Sequence, residues 1–196
     1  MYSMDILSFN TKDLLVYIDR NTCNEVSQFE HSRKCIELSL RKYLINEEQI
    51  SYVLKKNKKK PYIELQDGRK LGLSISHSEN MSAIAIYPYE NLVGIDIEVI
   101  NPKIYPNLSK YVIGHDQLAL NELSIVESTK FYLAWTVKEA LVKAYPDQLL
   151  AYKQMMLKEV SCETEKSFKT KFLHFENYLA RTFLEDQYIV SIVEAA

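Results

Sequence analysis

Glycine is scarce in this chain of 196 residues: only Gly68, Gly72, Gly94 and Gly114 occur. A glycine-rich loop that cradles phosphate on backbone N–H groups is therefore absent, and any phosphate has to be held by side chains or helix ends. Cysteine is rarer still. Cys23, Cys35 and Cys162 are widely spaced and odd in number, which argues for free thiols in a reducing compartment and against a disulfide set or a zinc site. No apolar run is long enough to span a bilayer, and no charged start followed by an apolar core opens the chain. A cytoplasmic location with no membrane partner is expected. The net charge of −2 gives no global attraction to nucleic acid, so none is expected as a partner. Internal repeats, heptads and low-complexity linkers are missing too. What remains is ordinary for a globular protein, 47% hydrophobic and 26% charged, and long enough for one large domain or two small lobes.

Periodicity gives the elements. Residues 14–18 read as a strand. Residues 29–45 read as an amphipathic helix with Phe29, Ile36, Leu40, Tyr43 and Leu44 on one face and Arg33 on that same face. Asn46 and Gln49 suggest the cap of a short helix running to about Leu54. The block Lys55-Lys56-Asn57-Lys58-Lys59-Lys60-Pro61 follows, suited to a polyanion or to a solvated face. Strands are expected at 61–65, 71–76, 82–87 and 92–98, a helix near 115–122, a long helix over 128–145, and strands at 168–175, 177–184 and 187–193. The order predicts an α+β fold of two pseudo-symmetric lobes, each a small antiparallel sheet packed on a long helix. The lobes are placed at 1–98 and 99–196, forming one compact unit with the active site at their interface.

The long helix is apolar nearly all the way round, as a buried helix is, yet it carries Lys138, Glu139 and Lys143. Charges on such a helix are costly unless something pairs with them. Tyr132, Thr136, Glu139 and Lys143 form one narrow polar stripe, whereas Lys138 falls where a leucine would be expected. Glu139 and Lys143, four apart, are either a stabilising surface pair or part of a site. The strand Leu92–Glu98 alternates, with Val93, Ile95 and Ile97 pointing one way and Gly94, Asp96 and Glu98 the other. Two carboxylates on one strand face are either solvated or bridged by a hard divalent cation such as Mg²⁺. A third, Glu139, on a helix that has to pack on such a sheet favours the cation. Ser74-Ile75-Ser76-His77-Ser78 ends an apolar strand with donors that suit a phosphate.

Taken together, Ser-His-Ser, then Gly-Ile-Asp-Ile-Glu about twenty residues on, then Trp-x-x-Lys-Glu-Ala-x-x-Lys closely resemble the 4′-phosphopantetheinyl transferase superfamily. The spacing is similar to its surfactin-synthetase-activating (Sfp) type, a single chain with two pseudo-symmetric halves. Lys60-Pro61-Tyr62 resembles a segment upstream in that family, and Tyr188-Ile189-Val190-Ser191 is similar to its last strand. The resemblance implies a monomeric enzyme of the holo-[acyl-carrier-protein] synthase type. Such an enzyme moves the 4′-phosphopantetheine arm of coenzyme A to a serine of an apo acyl or peptidyl carrier protein and releases adenosine 3′,5′-bisphosphate. It further implies Mg²⁺ held by Asp96, Glu98 and Glu139, with Glu139 and Lys143 catalytic. Arg33, Ser76 and His77 are implied to bind coenzyme phosphates, Lys138 to neutralise phosphate charge or pair with a metal ligand, and Lys60 and Pro61 to border the adenine.

The chain departs from the family pattern at Lys59, at Glu79-Asn80 and at Ala144-Tyr145-Pro146-Asp147, positions where relatives carry glycine. Pro146 should end the helix. Two other readings compete: a non-catalytic module of the same fold that binds coenzyme A or a carrier protein, and an unrelated Mg²⁺-dependent nucleotide enzyme. A binding module has no need of three carboxylates and Lys143, and the nucleotide enzyme leaves the Ser-His-Ser and Lys60-Pro61 matches as coincidence.

Overall fold

The computed structural model describes residues 14–20, 27–44, 50–57, 60–103, 109–145 and 151–195. Two five-stranded antiparallel sheets make up the molecule. The first holds β1 (Leu15–Arg20), β2 (Tyr52–Asn57), β3 (Lys60–Leu65), β4 (Lys70–Ser78) and β5 (Met81–Pro88), in the order β1-β5-β4-β3-β2. The second holds β6 (Val93–Val99), β7 (Leu157–Thr164), β8 (Ser167–Phe172), β9 (Tyr178–Leu184) and β10 (Tyr188–Ala195), in the order β6-β10-β9-β8-β7. Adding five to every strand of the first sheet reproduces the second. Helix α1 (Gln28–Tyr43) follows β1, and helix α3 (Glu127–Ala144) follows β6 in the same way; short α2 (Gly114–Leu120) precedes α3. The expected α+β architecture with two pseudo-symmetric lobes is what the chain adopts. The chain crosses from one sheet to the other between Pro88 and Val93. The strand carrying Asp96 and Glu98 therefore belongs to the second sheet.

Each sheet has one face on its own helix. Cys35, Ile36 and Leu40 of α1 pack on Ile63, Leu73, Ile84 and Ile86. Phe131, Leu133, Val137 and Leu141 of α3 pack with Phe168, Ala180, Ile189 and Val193. The opposite faces meet each other through Val16, Ile18, Ala83 and Ala85 from one side and Val93, Ile95, Ile97, Val190 and Ile192 from the other. Twelve of the eighteen α3 residues are buried, because Val112, Leu120, Leu123 and Met155 cover the flank that the sheet leaves open. This is the physical source of its all-round apolar sequence. Gly94 lets α3 lie directly on β6: a Cβ there would stand 2.0 Å from the carbonyl oxygen of Ala140 and 2.5 Å from the amide nitrogen of Ala144.

Helix α1 starts in a capping box, Ser27 Oγ accepting from the Glu30 N–H and Glu30 Oε2 accepting from the Ser27 N–H. Its buried face differs from the expected one. His31, Ser32, Cys35, Ile36, Ser39 and Leu40 are buried, whereas Phe29 is 72% exposed and Arg33 is exposed. The short helix expected to reach Leu54 gives way to β2, which begins at Tyr52; its proposed cap at Asn46–Gln49 lies outside the described residues. At the turn between β4 and β5, Glu79 takes the left-handed conformation (φ 48°) that glycine favours. A non-glycine residue there costs about 1 kcal/mol.

Candidate active site

The site forms where β6, an edge strand, runs between α3 and β4 of the other sheet. An edge strand leaves every second N–H unpaired, and here serines of β4 fill the gap. The Ile95 N–H donates to Ser74 Oγ (3.0 Å) and the Val99 N–H to Ser78 Oγ (3.2 Å). The same row of hydroxyls reaches the carboxylates: Ser76 Oγ donates to Asp96 Oδ1 (2.7 Å) and Ser78 Oγ to Glu98 Oε2 (2.7 Å). Strand alternation puts Ser74, Ser76 and Ser78 on one face, so a serine at every second position of β4 is the sequence signal for this seam.

From the helix side, Lys143 Nζ donates to Asp96 Oδ1 at 2.8 Å. Trp135 Nε1 donates to Glu98 Oε1 at 3.1 Å, so its indole holds a carboxylate as well as packing. Thr136, one turn before Glu139 and two before Lys143 on the same stripe, shares a 2.7 Å hydrogen bond with Ser191, the β10 residue opposite Asp96. Glu139 accepts a hydrogen bond from the Tyr152 hydroxyl. The Tyr152 ring stacks on Trp135, centroids 5.4 Å apart, and also meets Tyr111 at 4.7 Å. An aromatic wall thus backs the acidic groups. Tyr152 was not legible in the sequence as a site residue, because it arrives from a short 3-10 turn (Tyr152–Gln154) with no periodic pattern.

Burial governs the electrostatics. Asp96 is 4% exposed. Its carboxyl is pushed above the usual carboxylate range by desolvation, against the pull of Lys143 and Ser76, and the charge of Glu139 adds to the rise. Glu98 rises for the same first reason, helped by the charge of Asp96 and opposed by the hydrogen bonds from Ser78 and Trp135. Asp96 Oδ2 is buried without a hydrogen-bond partner. Asp96 is coupled by charge to Glu98 and Glu139, and hard oxygen donors of this kind suit a divalent cation, but the three carboxylates do not meet the 4.8 Å spacing at which Asp19, His31 and Cys35 group their ligand atoms. The carboxyls whose fold favours their protonated form destabilise the metal-free chain as pH climbs through and above the ordinary range. In chelator-treated protein, the Tm of Asp96→Asn relative to the native chain is therefore expected to rise from about pH 4, the ordinary aspartate value, toward neutrality. Thermal melts across that range check it. A difference that falls as pH rises would show that the pairing with Lys143 outweighs desolvation, and one that stays constant would show that the two cancel.

Of the other residues expected at the site, Ser76 is bonded to the Asp96 carboxylate. His77 points to the opposite face of β4 and is exposed. Arg33 is exposed on α1. Lys60 opens β3, its Nζ 5.1 Å from the centroid of the Tyr87 ring and 3.3 Å from the Asn91 carbonyl, and Pro61 pairs with Lys56 in the β2–β3 hairpin. Lys138 differs most from expectation. It is fully buried, and its ammonium donates to Asp116 Oδ2 (2.5 Å), the Tyr111 carbonyl (2.9 Å) and the Tyr152 carbonyl (3.3 Å). Asp116 in turn accepts from the Ile113 and Leu157 N–H groups. This lysine ties together the segments that cover α3 and offers no cationic surface to a phosphate.

The duplicated α+β scaffold brings acidic, lysyl and hydroxyl side chains to one helix–strand seam. The model of the 4′-phosphopantetheinyl transferase superfamily matches residues 92–193, just over half of the chain, and the protein belongs to that family. It is thereby a transferase of the phosphopantetheinyl type. No curated protein matches the chain at a significant level. Among the described residues, no helix is long and apolar enough to cross a membrane.

Proposed function

We propose that the protein is a Sfp-type enzyme that transfers the 4′-phosphopantetheine arm of coenzyme A to a serine of an apo acyl or peptidyl carrier protein. The observation that carries this reading is the buried Asp96 carboxylate. One of its oxygens is held by Lys143 and Ser76 and the other is without a partner, and it lies beside Glu98 and within the field of Glu139. Asp96, Glu98 and Glu139 would hold Mg²⁺, which when bound neutralises the diphosphate of coenzyme A and makes its phosphorus easier to attack.

The chain's own groups do the rest. In the reaction the serine oxygen forms a bond to the pantetheine-side phosphorus, and the bond from that phosphorus to the bridging oxygen breaks. Glu139, fixed through Tyr152, accepts the serine proton, directly or through water. Lys143, with its side chain 28% exposed, can leave Asp96 Oδ1 to meet the departing phosphate of adenosine 3′,5′-bisphosphate and donate a proton to it. Ser74, Ser76 and Ser78 keep β6 and its carboxylates in register while charge shifts nearby. Arg33, His77, Lys60 and Pro61 stay as proposed contacts of the coenzyme nucleotide, and Lys138 is assigned to holding Tyr152.

Incubation with Mg²⁺, coenzyme A and a panel of apo carrier proteins tests the proposal. Mass spectrometry is expected to find the added arm on the serine of at least one of them. Tight coenzyme binding with no transfer to any partner would instead identify a binding module.

A further inference from the structure

The repeated topology allows the two halves to be compared residue by residue. In the second half Asp96 of β6 stands opposite Ser191 of β10, and Thr136 of α3 bonds to that serine. In the first half Asp19 of β1 stands opposite Ser82 of β5, and Ser32 of α1 lies 3.3 Å from that serine's hydroxyl. With Asp19 in the place of Asp96 and Ser32 in that of Thr136, His31 occupies the place of Trp135, and Cys35 that of Glu139. The first half therefore contains a counterpart of the catalytic seam in which a carboxylate has been kept and the helix now offers imidazole and thiol.

We propose that Asp19, His31 and Cys35 form a second metal site, selective for Zn²⁺ or a similarly soft divalent cation. The three residues place one ligand atom each within 4.8 Å of the others. His31 Nε2 lies 3.6 Å from Asp19 Oδ2 and 3.8 Å from Cys35 Sγ. Tetrahedral zinc with ordinary N, O and S bond lengths separates its ligand atoms by about 3.4–3.6 Å, so the two distances to His31 need only tighten slightly. With Nε2 as ligand, the remaining ring proton sits on Nδ1 and is donated to Ser82 Oγ at 3.0 Å. That is the supporting contact which metal-bound histidines show. Histidine and cysteine stand four apart on α1, so both project from one face onto β1. Nitrogen and sulfur suit zinc, whereas the all-oxygen seam of the other half suits magnesium. Cys35 is fully buried and His31 6% exposed. Asp19 is part-exposed, which leaves a way in for the ion and for a water as fourth ligand. Binding forms a metal–thiolate bond and releases the thiol proton to solvent.

The full-length protein, stripped with chelator and titrated with Co²⁺ and then Zn²⁺, tests the assignment. One equivalent of Co²⁺ is expected to give a thiolate-to-cobalt charge-transfer band that Zn²⁺ bleaches. Cys35→Ser should lose the band. Asp19→Asn, a milder change at a part-exposed position, should weaken Zn²⁺ binding by roughly 10²-fold or more, since even supporting contacts are worth 10–100-fold. Glu139→Gln should keep the band, which separates this site from the carboxylates used for transfer. Failure of the native chain to bind Zn²⁺ stoichiometrically would overturn the proposal. So would a band that survives in Cys35→Ser, or one lost in Glu139→Gln and kept in Asp19→Asn.

Discussion

Glu139→Gln is expected to fold as the native chain does and to transfer the phosphopantetheine arm about 10²–10⁴-fold more slowly, the range for loss of a positioned acid–base group. Glutamine keeps an oxygen that can accept from the Tyr152 hydroxyl, so the aromatic wall of Tyr111, Trp135 and Tyr152 has no reason to shift. What disappears is one negative charge. Its removal also relieves the like-charge pressure on Asp96, so Tm in metal-free buffer should hold or rise slightly. Steady-state rates with a saturating carrier protein, paired with a thermal melt, separate chemistry from folding. Full activity in this variant would remove Glu139 from the mechanism as both ligand and base.

The second large effect belongs to Lys138. Replacing it with methionine keeps the buried stem and deletes the charge, leaving Asp116 sealed in the protein with only the Ile113 and Leu157 N–H groups as donors. Breaking one side of a buried ion pair costs about 3–5 kcal/mol, which for a chain of this size is a fall of roughly 6–20 °C in Tm. Burial already pulls the Lys138 ammonium down from its ordinary pKa while Asp116 pulls it back up, so the pair is interdependent. The double variant with Asp116→Asn should therefore recover part of the loss. A phosphate-contacting lysine would behave differently: Tm would be unchanged and the coenzyme KM would rise. Any activity lost in Lys138→Met beyond its instability is expected to run through Tyr152, whose carbonyl Lys138 holds and whose hydroxyl holds Glu139.

These cases show what could be read from residue order. The alternation of Val93–Glu98 and the apolar surround of α3 announced a strand and a buried helix, because the strand sets its apolar side chains on the other sheet and its polar ones under α3, and the helix is covered on most of its circumference. Strands β2 and β7 escaped notice for the opposite reason. Both are sheet edges, and most of their residues are exposed on either face, so neither carries a period-two pattern. The lysines of β2 belong to such an edge, where charge discourages pairing with other chains. Lys138 stood out correctly as a charge on an apolar face. Its partner Asp116 lies 22 residues earlier on a separate short helix, and no local spacing reports that distance. Cys35 has no second cysteine near it in sequence to mark it as a ligand. Its companions are a histidine one helical turn before it and an aspartate on the preceding strand, a mixed set that only the folded chain brings together.

The serine row of β4 has a consequence for any attempt to shorten the protein. A fragment beginning at residue 92, where the family match starts, would retain Asp96, Glu98, Glu139 and Lys143. It would lose the hydroxyls that cover the rim of its first strand, and it would bare Val93, Ile95 and Ile97 to water. Such a rim recruits other copies of itself, so the truncated piece should aggregate before it can catalyse anything. The first half thus serves as the permanent cover of the edge that carries Asp96 and Glu98.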